Sequence, residues 1–284
     1  MQIGIRLHDV NTGLDVGERT LEARARKARE EGFCCVHLAL QKVISGMAFD
    51  DCTMTEGLAA YVRRVFRKND LDIAVLGSYF NLANPDPKQL EAIKSKYYAH
   101  LRVAPLMGAA MVGTETGAPN VEYKLDADTH GEEALATFTR NLADVVAEAE
   151  RRGMTIAIEP VWNHIVYNAD RAVQVLRDIG SRNLRIILDP VNLLCLENID
   201  ERDSVIADAI DKLGERVAMV HLKDYIVRDG KLVSVAAGTG NMDYTRILRF
   251  MKERKPFIQA TLENTDNTTA VPARQMLQER YDLE

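Results

Sequence analysis

The sequence has few cysteines, no long apolar run and no recognisable leader, and each absence excludes a class of protein. No metal-type C-x-x-C spacing occurs among its four cysteines, Cys34, Cys35, Cys52 and Cys195, so reduced thiols in a cytoplasm are the simplest expectation. No stretch approaches the ~20 apolar residues of a membrane span. The first ten residues, MQIGIRLHDV, enter a strand-like run without the features of a secretory signal. We therefore expect a cytoplasmic protein with no membrane partner.

The charge balance also excludes an obvious class of partner. The chain carries 36 basic and 42 acidic residues, a formal net charge of -6, and no basic run long enough to track a phosphate backbone. Nucleic-acid binding is therefore not expected. The 284 residues, 46% of them hydrophobic, are close to the size of one eight-fold β/α barrel and can bury a large core. One domain covering 1–284 is sufficient.

Strand-like and helix-like patterns alternate along the whole chain. Short apolar runs predict eight strands, at 2–7, 33–38, 71–76, 109–112, 154–158, 184–188, 217–220 and 257–262. Helical spacing of apolar residues predicts the segments 19–31, 55–69, 87–107, 132–152, 169–179, 204–213, 244–254 and 271–280. No G-x-G-x-x-G follows the first strand, which disfavours a dinucleotide-binding sheet. The predicted fold is α/β, a single-domain (β/α)8 TIM barrel.

Four apolar runs in the second half each end in a residue that can bind a metal. These residues are Glu159, Asp189, His221 and Glu263, and they are spaced by 30, 32 and 42 residues, about one strand-helix unit each. In a parallel barrel the carboxyl ends of neighbouring strands lie about 5 Å apart, so such side chains can converge on one ion. Each residue alone could instead cap a turn or helix, fill the core or face solvent. Their repetition at equivalent points favours a shared metal site.

The ligand set of three carboxylates and one imidazole suits a hard divalent ion. Manganese is the first expectation, with magnesium and cobalt as alternatives and zinc as a further one. Such an ion could polarise a substrate carbonyl and stabilise an enediolate. Proton transfer also needs positioned acid-base groups, for which Glu159 and Glu263 are the candidates.

Several segments resemble a known family. GFCCVHLAL, LGSYFNLANPD, IAIEPVWNH, ILDPVNLL, VHLKD and TLEN are similar to strand-end segments of the sugar phosphate isomerase/epimerase superfamily, the xylose-isomerase-like barrels, and the resemblance covers nearly the whole chain. This family includes hexulose 3-epimerases, inosose dehydratases and the endonuclease IV branch. The resemblance implies that Glu159 and Glu263 bind the metal and also move protons on opposite faces of a sugar carbon, with Asp189 and His221 as ligands. It also implies a small sugar or keto-sugar substrate and a possible homo-oligomer.

One position departs from the family pattern. Epimerase-type sequences commonly have a histidine three residues after the sixth-strand aspartate, where this chain has Asn192. An asparagine can hydrogen-bond a hydroxyl group but cannot shuttle a proton. Together with the acidic balance and only 6 histidines, this departure argues against a trinuclear endonuclease site.

Other residues near the predicted strand ends are candidates for substrate binding. They are His37, Asn81, Glu115, Trp162, His164, Asn192 and Lys223. Each has a structural alternative: the histidines could be buried or surface residues, and Trp162 could simply pack under a loop. Asp224 could orient a metal ligand. Gly238 and Gly240 could bind a phosphate, although an ordinary loop is favoured there.

Three functions are compatible with these patterns. The first is a metal-dependent sugar isomerase or epimerase. The second is a metal-dependent lyase or dehydratase acting on a keto-sugar or inosose, which would release an unsaturated product. The third is a noncatalytic sugar-binding barrel, for which no exchange of carbon-bound protons is expected. We rank them in this order.

Overall fold

The computed structural model describes residues 1–11, 13 and 20–284. The strands in this part of the chain are β1 (Gln2–Arg6), β2 (Cys35–Leu38), β3 (Asp72–Gly77), β4 (Val112–Glu115), β5 (Ile156–Glu159), β6 (Leu184–Leu188), β7 (Val217–Leu222), β8 (Asp224–Arg228), β9 (Lys231–Val235) and β10 (Gln259–Leu262). The helices are α1 (Thr20–Glu30), α2 (Leu40–Val43), α3 (Glu56–Lys68), α4 (Pro87–Met107), α5 (Glu132–Arg151), α6 (Ala169–Ile179), α7 (Arg202–Leu213), α8 (Thr245–Arg254) and α9 (Ala270–Leu283).

The sheet is a closed parallel barrel with helices between its strands, as predicted. The strand order around it is β1-β10-β7-β6-β5-β4-β3-β2, and β8 pairs with β9 outside it. β1 pairs with both β2 and β10, which closes the barrel. Because every barrel strand is covered on both faces, the strand interiors are continuous apolar runs with very little exposure. The single-domain (β/α)8 barrel is therefore confirmed.

Local sequence signals explain where several elements begin and end. The helix predicted at 87–107 has these bounds in the structure, because the Asp86 side chain caps it by accepting bonds from the Lys88 and Gln89 amides and Pro87 starts it. The predicted helix at 169–179 is likewise confirmed, with Asn168 as its cap. The prediction for 19–31 is met from Thr20 to Glu30. Its first residue, 19, lies outside the described residues.

The predicted fourth strand was wrong in position. The sequence pattern placed it at 109–112, whereas β4 spans Val112–Glu115. Ala109 makes only an isolated bridge with Ile73. The ladder with β5 continues instead to Glu115, which pairs with Glu159. The pattern ended the strand early because strand tips in a barrel carry polar residues that break an apolar run.

The β8–β9 hairpin was missed. Its two strands pair antiparallel from Asp224 opposite Val235 to Arg228 opposite Lys231. The two-residue turn between them is Asp229-Gly230, and both residues have positive φ, 51° and 68°. Asp-Gly is a favoured sequence for this tight hairpin turn, so the signal was present in the chain. In the described part of the chain, no helix combines the length and apolarity that a bilayer crossing requires.

Candidate metal centre and reaction pocket

The four predicted metal ligands lie side by side at the carboxyl ends of neighbouring strands. The order β10-β7-β6-β5 makes a continuous arc that carries Glu263, His221, Asp189 and Glu159. We call these four residues the ligand arc. All are at most 5% exposed. His221 Nδ1 lies 3.2 Å from Glu159 Oε1 and 3.4 Å from Glu263 Oε1. The structure therefore brings together the four side chains.

Two overlapping groups in the site have metal-binding geometry. Candidate ligand atoms of Glu159, Asp189 and His221 all lie within 4.8 Å of one another. The same is true of a second group, His37, His221 and Glu263. The rings of His37 and His221 stack with 5.2 Å between centroids and 12° between planes. His37, predicted as a substrate contact, is thus also placed where a ligand could be.

His37 lies between Tyr79 and the ligand arc. Its Nε2 lies 2.6 Å from the Tyr79 hydroxyl, and its Nδ1 lies 3.6 Å from Glu263 Oε1. Gly77 makes this packing possible, because a Cβ there would lie 2.7 Å from His37 Nε2 and 2.8 Å from the Tyr79 ring. Sequence analysis missed Tyr79, although its place just after β3 is a signal that could have identified it.

Two cations lie among the acidic groups. Lys223 Nζ is 2.9 Å from Asp189 Oδ2 and 3.5 Å from Glu263 Oε2. Arg6 Nη1, at the end of β1, is also 3.5 Å from Glu263 Oε2. Arg6 was not predicted because it precedes the four-residue repeat along the chain, yet barrel closure places β1 directly beside β10.

The electrostatics of the site fit a divalent cation. Four carboxylates, those of Glu115, Glu159, Asp189 and Glu263, line or border a pocket whose wall, in the described residues, carries the permanent cations Arg6, Lys42 and Lys223, of which Lys42 is exposed. An excess of buried negative charge attracts a metal ion. His221 Nε2 is buried without a hydrogen-bond partner and is free to ligate. The donor set of carboxylates and imidazole is one that hard or borderline divalent metals accept.

The same charges shift the protonation of the arc. Burial opposes the ionised form of Glu263, but the charges of His221 and Lys223 outweigh it and hold the pKa of Glu263 well below its usual range. Burial alone would lower the pKa of His221, whereas the charges of Glu263 and Glu159 raise it to about 9. For Asp189, burial dominates and raises the pKa. A site without metal is therefore a network of ion pairs centred on His221.

Asn192 hydrogen-bonds to two residues of the ligand arc and to Lys223. Its Nδ2 donates to Glu159 Oε1 at 2.7 Å, and its Oδ1 accepts from Lys223 Nζ at 2.6 Å. Its backbone amide donates to Asp189 Oδ1 at 3.2 Å. Asn192 also borders the pocket. The position that distinguishes this chain from epimerase-type sequences therefore orients two acids and one lysine.

A second group of polar side chains lies around Glu115. The Tyr123 hydroxyl donates to Glu115 Oε2 at 3.3 Å, and His164 Nδ1 lies 4.0 Å from that oxygen without a hydrogen-bond partner. Burial, reinforced by Glu159 and Glu263, raises the pKa of Glu115 to about 7. Tyr123 has a φ of 57°, a strained conformation for an aromatic residue. Sequence analysis missed Tyr123, because no pattern marks a loop residue that turns back into a pocket.

A cavity of about 630 Å³ opens between these groups, and we call it the reaction pocket. Of the predicted substrate-binding residues, those on its wall are His37, Glu115, Trp162, His164, Asn192 and Lys223. Asn81 is not brought into it. The Asn81 amide donates to the carbonyl groups of Ala118 and Asn120, both at 2.8 Å, so this side chain braces the loop after β4.

Two weaker expectations are also resolved by hydrogen bonds. Asp224 does not contact the ligand arc through any bond in the described residues, and its carboxylate accepts from the amides of Gly238, Gly240 and Met242 at 2.8 to 3.1 Å. The two glycine amides that could have bound a phosphate are thus directed at a protein carboxylate. The segment is an ordinary loop organised by Asp224, as favoured from the sequence.

Comparison with known proteins assigns the family. Residues 25–280 match the family model described as xylose isomerase-like TIM barrel, and the chain belongs to that family. Comparison with curated protein sequences gives no match.

Solved structures share the whole fold. A D-tagatose 3-epimerase-like protein is 17% identical, with 100% of this chain and 98% of that one covered and a TM-score of 0.76. A 3-keto-D-glucoside 4-epimerase from E. coli is 13% identical, with coverages of 98% and 99% and a TM-score of 0.72. The IolI protein, solved with a zinc atom, is 16% identical, with coverages of 99% and 96% and a TM-score of 0.71. At these identities the similarity establishes the fold.

Proposed function

We propose that the chain is a divalent-metal-dependent isomerase or epimerase that moves a proton on a small sugar or keto-sugar through an enediolate. The observation that carries this proposal is the placement of two glutamates at the two ends of the ligand arc. Glu159 Oε1 and Glu263 Oε1 lie 3.2 and 3.4 Å from the same nitrogen, His221 Nδ1. Two carboxylates that approach one centre from different strands can serve as two acid-base groups for one substrate carbon.

Glu159, Asp189, His221 and Glu263 would hold the metal. Manganese is the first expectation, with magnesium, cobalt and zinc as alternatives; IolI, of the same fold, was solved with zinc. When bound, the ion would polarise the substrate carbonyl group and stabilise the negative charge of the enediolate. The close approach of the candidate ligand atoms of Glu159, Asp189 and His221, all within 4.8 Å of one another, supports this assignment.

The side chains supply the proton transfers. One of the two glutamates, Glu159 or Glu263, takes the proton from the substrate carbon as a carboxylate. The other enters the step as the carboxylic acid and returns a proton to the opposite face or to the neighbouring carbon, and exchange with solvent then resets both groups. The low pKa of Glu263 keeps it ionised and able to accept a proton. Asn192 holds Glu159 through a 2.7 Å bond, which restricts the carboxylate to one orientation.

The remaining pocket residues would bind the sugar hydroxyl groups. Glu115, His164 and Lys223 offer charged or imidazole partners on the pocket wall, and the Trp162 ring can stack on the apolar face of a sugar. A cytoplasmic location and a homo-oligomeric state remain predictions from the sequence.

Solvent deuterium exchange tests the proposal. Manganese-loaded protein would be incubated in deuterated water with ketoses, ketose phosphates and inososes, and the products analysed by mass spectrometry and NMR. We expect a mass-neutral rearrangement with deuterium at the reacting carbon, and Glu159→Gln and Glu263→Gln to lose both rearrangement and exchange. Exchange that persists in both glutamine variants would contradict the mechanism.

The same experiment separates the two alternative functions. Loss of water or another group from the substrate would indicate the lyase. Binding without exchange, and without a requirement for metal, would indicate a noncatalytic sugar-binding barrel.

A further inference from the structure

A second cavity lies beside the reaction pocket. Its volume is about 500 Å³, within the range of small-molecule sites. We call it the side cavity. Its wall comes from the loops after β5 and β6, the starts of α6 and α7, and the end of the loop before α5. The residues that line it are His130, Trp162, Tyr167, Asn168, Ala169, Asp170, Leu193, Cys195, Glu197, Asn198, Val205 and Asp208.

The two cavities share one wall residue, Trp162. The loop after β6 also borders both, because Asn192 faces the reaction pocket while the next residue, Leu193, faces the side cavity. The Trp162 amide donates to the Asn192 carbonyl at 2.7 Å, which ties the two loops together at the boundary. The side cavity is therefore built from the same two loops that build the candidate reaction site.

The walls of the side cavity suit a ring. Trp162, Tyr167 and His130 contribute three flat side chains, and the His130 and Tyr167 rings pack with centroids 4.3 Å apart. Leu193 and Val205 add aliphatic surface. Flat aromatic surfaces stack on sugar and aromatic rings alike.

Polar groups at the side cavity allow hydrogen bonding, and Glu197 adds one carboxylate to its wall. Asp170 and Asp208 both pair with Lys212, at 2.6 and 2.8 Å, so neither offers a free charge. His130 Nε2 is buried and has no hydrogen-bond partner.

We propose that the side cavity is a binding subsite for a ring linked to the reacting sugar, so that the preferred substrate is a keto-sugar that carries a second ring through a glycosidic link, with free ketoses as weaker substrates. This inference rests on the proposed function for the reacting half of the substrate. The two cavities meet at Trp162 and at the adjacent residues Asn192 and Leu193, so one ligand with two linked rings can contact both. A ligand that fills both would be held on each side of Trp162.

The sole tryptophan provides a readout that does not depend on turnover. Quenching of Trp162 fluorescence would be titrated with matched pairs, the phenyl and methyl β-glycosides of D-glucose, D-galactose and D-xylose, on metal-loaded protein. We expect at least one phenyl glycoside to bind about tenfold more tightly than its methyl partner, because only the phenyl ring reaches the side cavity.

Three substitutions locate the effect. Val205→Phe projects a ring into the side cavity and should sharply reduce the preference for the phenyl glycoside while methyl glycoside binding stays unchanged. Val173→Phe makes the same change at an exposed position of α6 that does not line the cavity, and should leave the preference intact. Tyr167→Ala, which removes one ring of the wall, should weaken the preference without filling the cavity. Circular dichroism verifies that each variant is folded.

Four outcomes would overturn the inference. The first three are equal binding of phenyl and methyl glycosides in every pair, no binding of any glycoside, and an unchanged preference in folded Val205→Phe. Conversion of an oligomer to a monomer by Val205→Phe, followed by sedimentation, would also overturn it, because a second copy of the chain would then cover the cavity. Deuterium exchange into free ketoses tests the proposed function separately, so the two failures are distinguishable.

Discussion

The two halves of the barrel rim differ in the chemistry of their side chains. The half formed by β5, β6, β7 and β10 carries the ligand arc, Glu159, Asp189, His221 and Glu263. The half formed by β1, β2, β3 and β4 carries Arg6, His37, Tyr79 and Glu115 at or near the strand ends. The first half concentrates buried acids around one imidazole and one lysine, Lys223. At its strand ends the second half carries an arginine, uncharged hydrogen-bonding groups and one carboxylate on the pocket wall, Glu115.

This difference separates two tasks within one pocket. Acidic side chains that crowd together gain when a divalent cation joins them, since it relieves their mutual repulsion. The other half has fewer acids to compensate, and its His37 already contacts the Tyr79 hydroxyl at 2.6 Å. We therefore assign metal binding to the acidic half and expect the other half to contact substrate. His37 tests this division, because its geometry also permits metal ligation.

The largest expected effect is loss of metal from the acidic half. Asp189→Ala should reduce metal affinity by more than about 100-fold, exceeding the loss typical of changes outside the ligand sphere, and activity should fall with it. His37→Ala should retain the metal. Metal content by mass spectrometry and affinity by calorimetry would check both variants. A His37→Ala protein that loses metal while Asp189→Ala keeps it would move the centre to the group of His37, His221 and Glu263.

Removing the central cation should destabilise the metal-free protein. Lys223 is 6% exposed and pairs with Asp189 and Glu263, so Lys223→Met leaves buried acids uncompensated. We expect a loss of about 3 kcal/mol in the free energy of unfolding by urea in the presence of chelator, and a larger stabilisation by added metal than in the wild type.

An exposed lysine provides the control for this change. Lys212 pairs with Asp170 and Asp208 at the surface, and Lys212→Met should cost less than about 1 kcal/mol. Equal effects of the two substitutions would show that the acids around Lys223 do not depend on it.

Low pH should decrease the free energy of unfolding, because His100, in the half of the barrel that lacks the ligand arc, is buried in its neutral form. This α4 residue is fully buried against the edge of Phe80, and burial lowers its pKa from 6.5 to about 4. Because the folded pKa lies below the unfolded one, the contribution is fully present above about pH 6.5 and is lost as the pH falls toward 4. Between pH 7.5 and 5 the wild type should lose about 2 kcal/mol from this residue.

The comparison with His100→Gln isolates that contribution. Glutamine does not titrate, so urea unfolding of this variant between pH 7.5 and 5 should show a smaller decrease in stability than the wild type. Identical decreases would show that other groups account for the acid sensitivity.

The smallest expected effect comes from the hydrogen bond between His37 and Tyr79. Tyr79→Phe removes the hydroxyl that contacts His37 Nε2, which should cost about 1 kcal/mol in kcat/KM, roughly fivefold, with metal affinity unchanged. Steady-state kinetics and calorimetry measure the two quantities. A parallel loss of metal would contradict the division between the two halves.

The acidic half was far easier to predict than the other half. Each residue of the ligand arc follows an apolar run, so periodicity alone located it. Arg6 and Tyr79 also lie at strand ends but lack a repeated residue type, and Tyr123 reaches Glu115 from a loop with positive φ. Asn81 shows the reverse error, because a polar residue after a strand can brace a loop instead of facing the pocket.

The sequence by itself determined the alternation of strands and helices and the positions of the ligand-arc residues. A buried strand is an apolar run followed by a polar residue, and this pattern is visible in the sequence whichever strands become neighbours. The sequence did not determine which strand ends lie side by side and which of their side chains are in contact. Closure of the barrel places Arg6 of β1 beside Glu263 after β10, although they lie near opposite ends of the chain. Folding of the two loops around Trp162 likewise creates two adjoining cavities. Contacts between residues distant in sequence depend on how the sheet closes and the loops pack, and no local pattern records them.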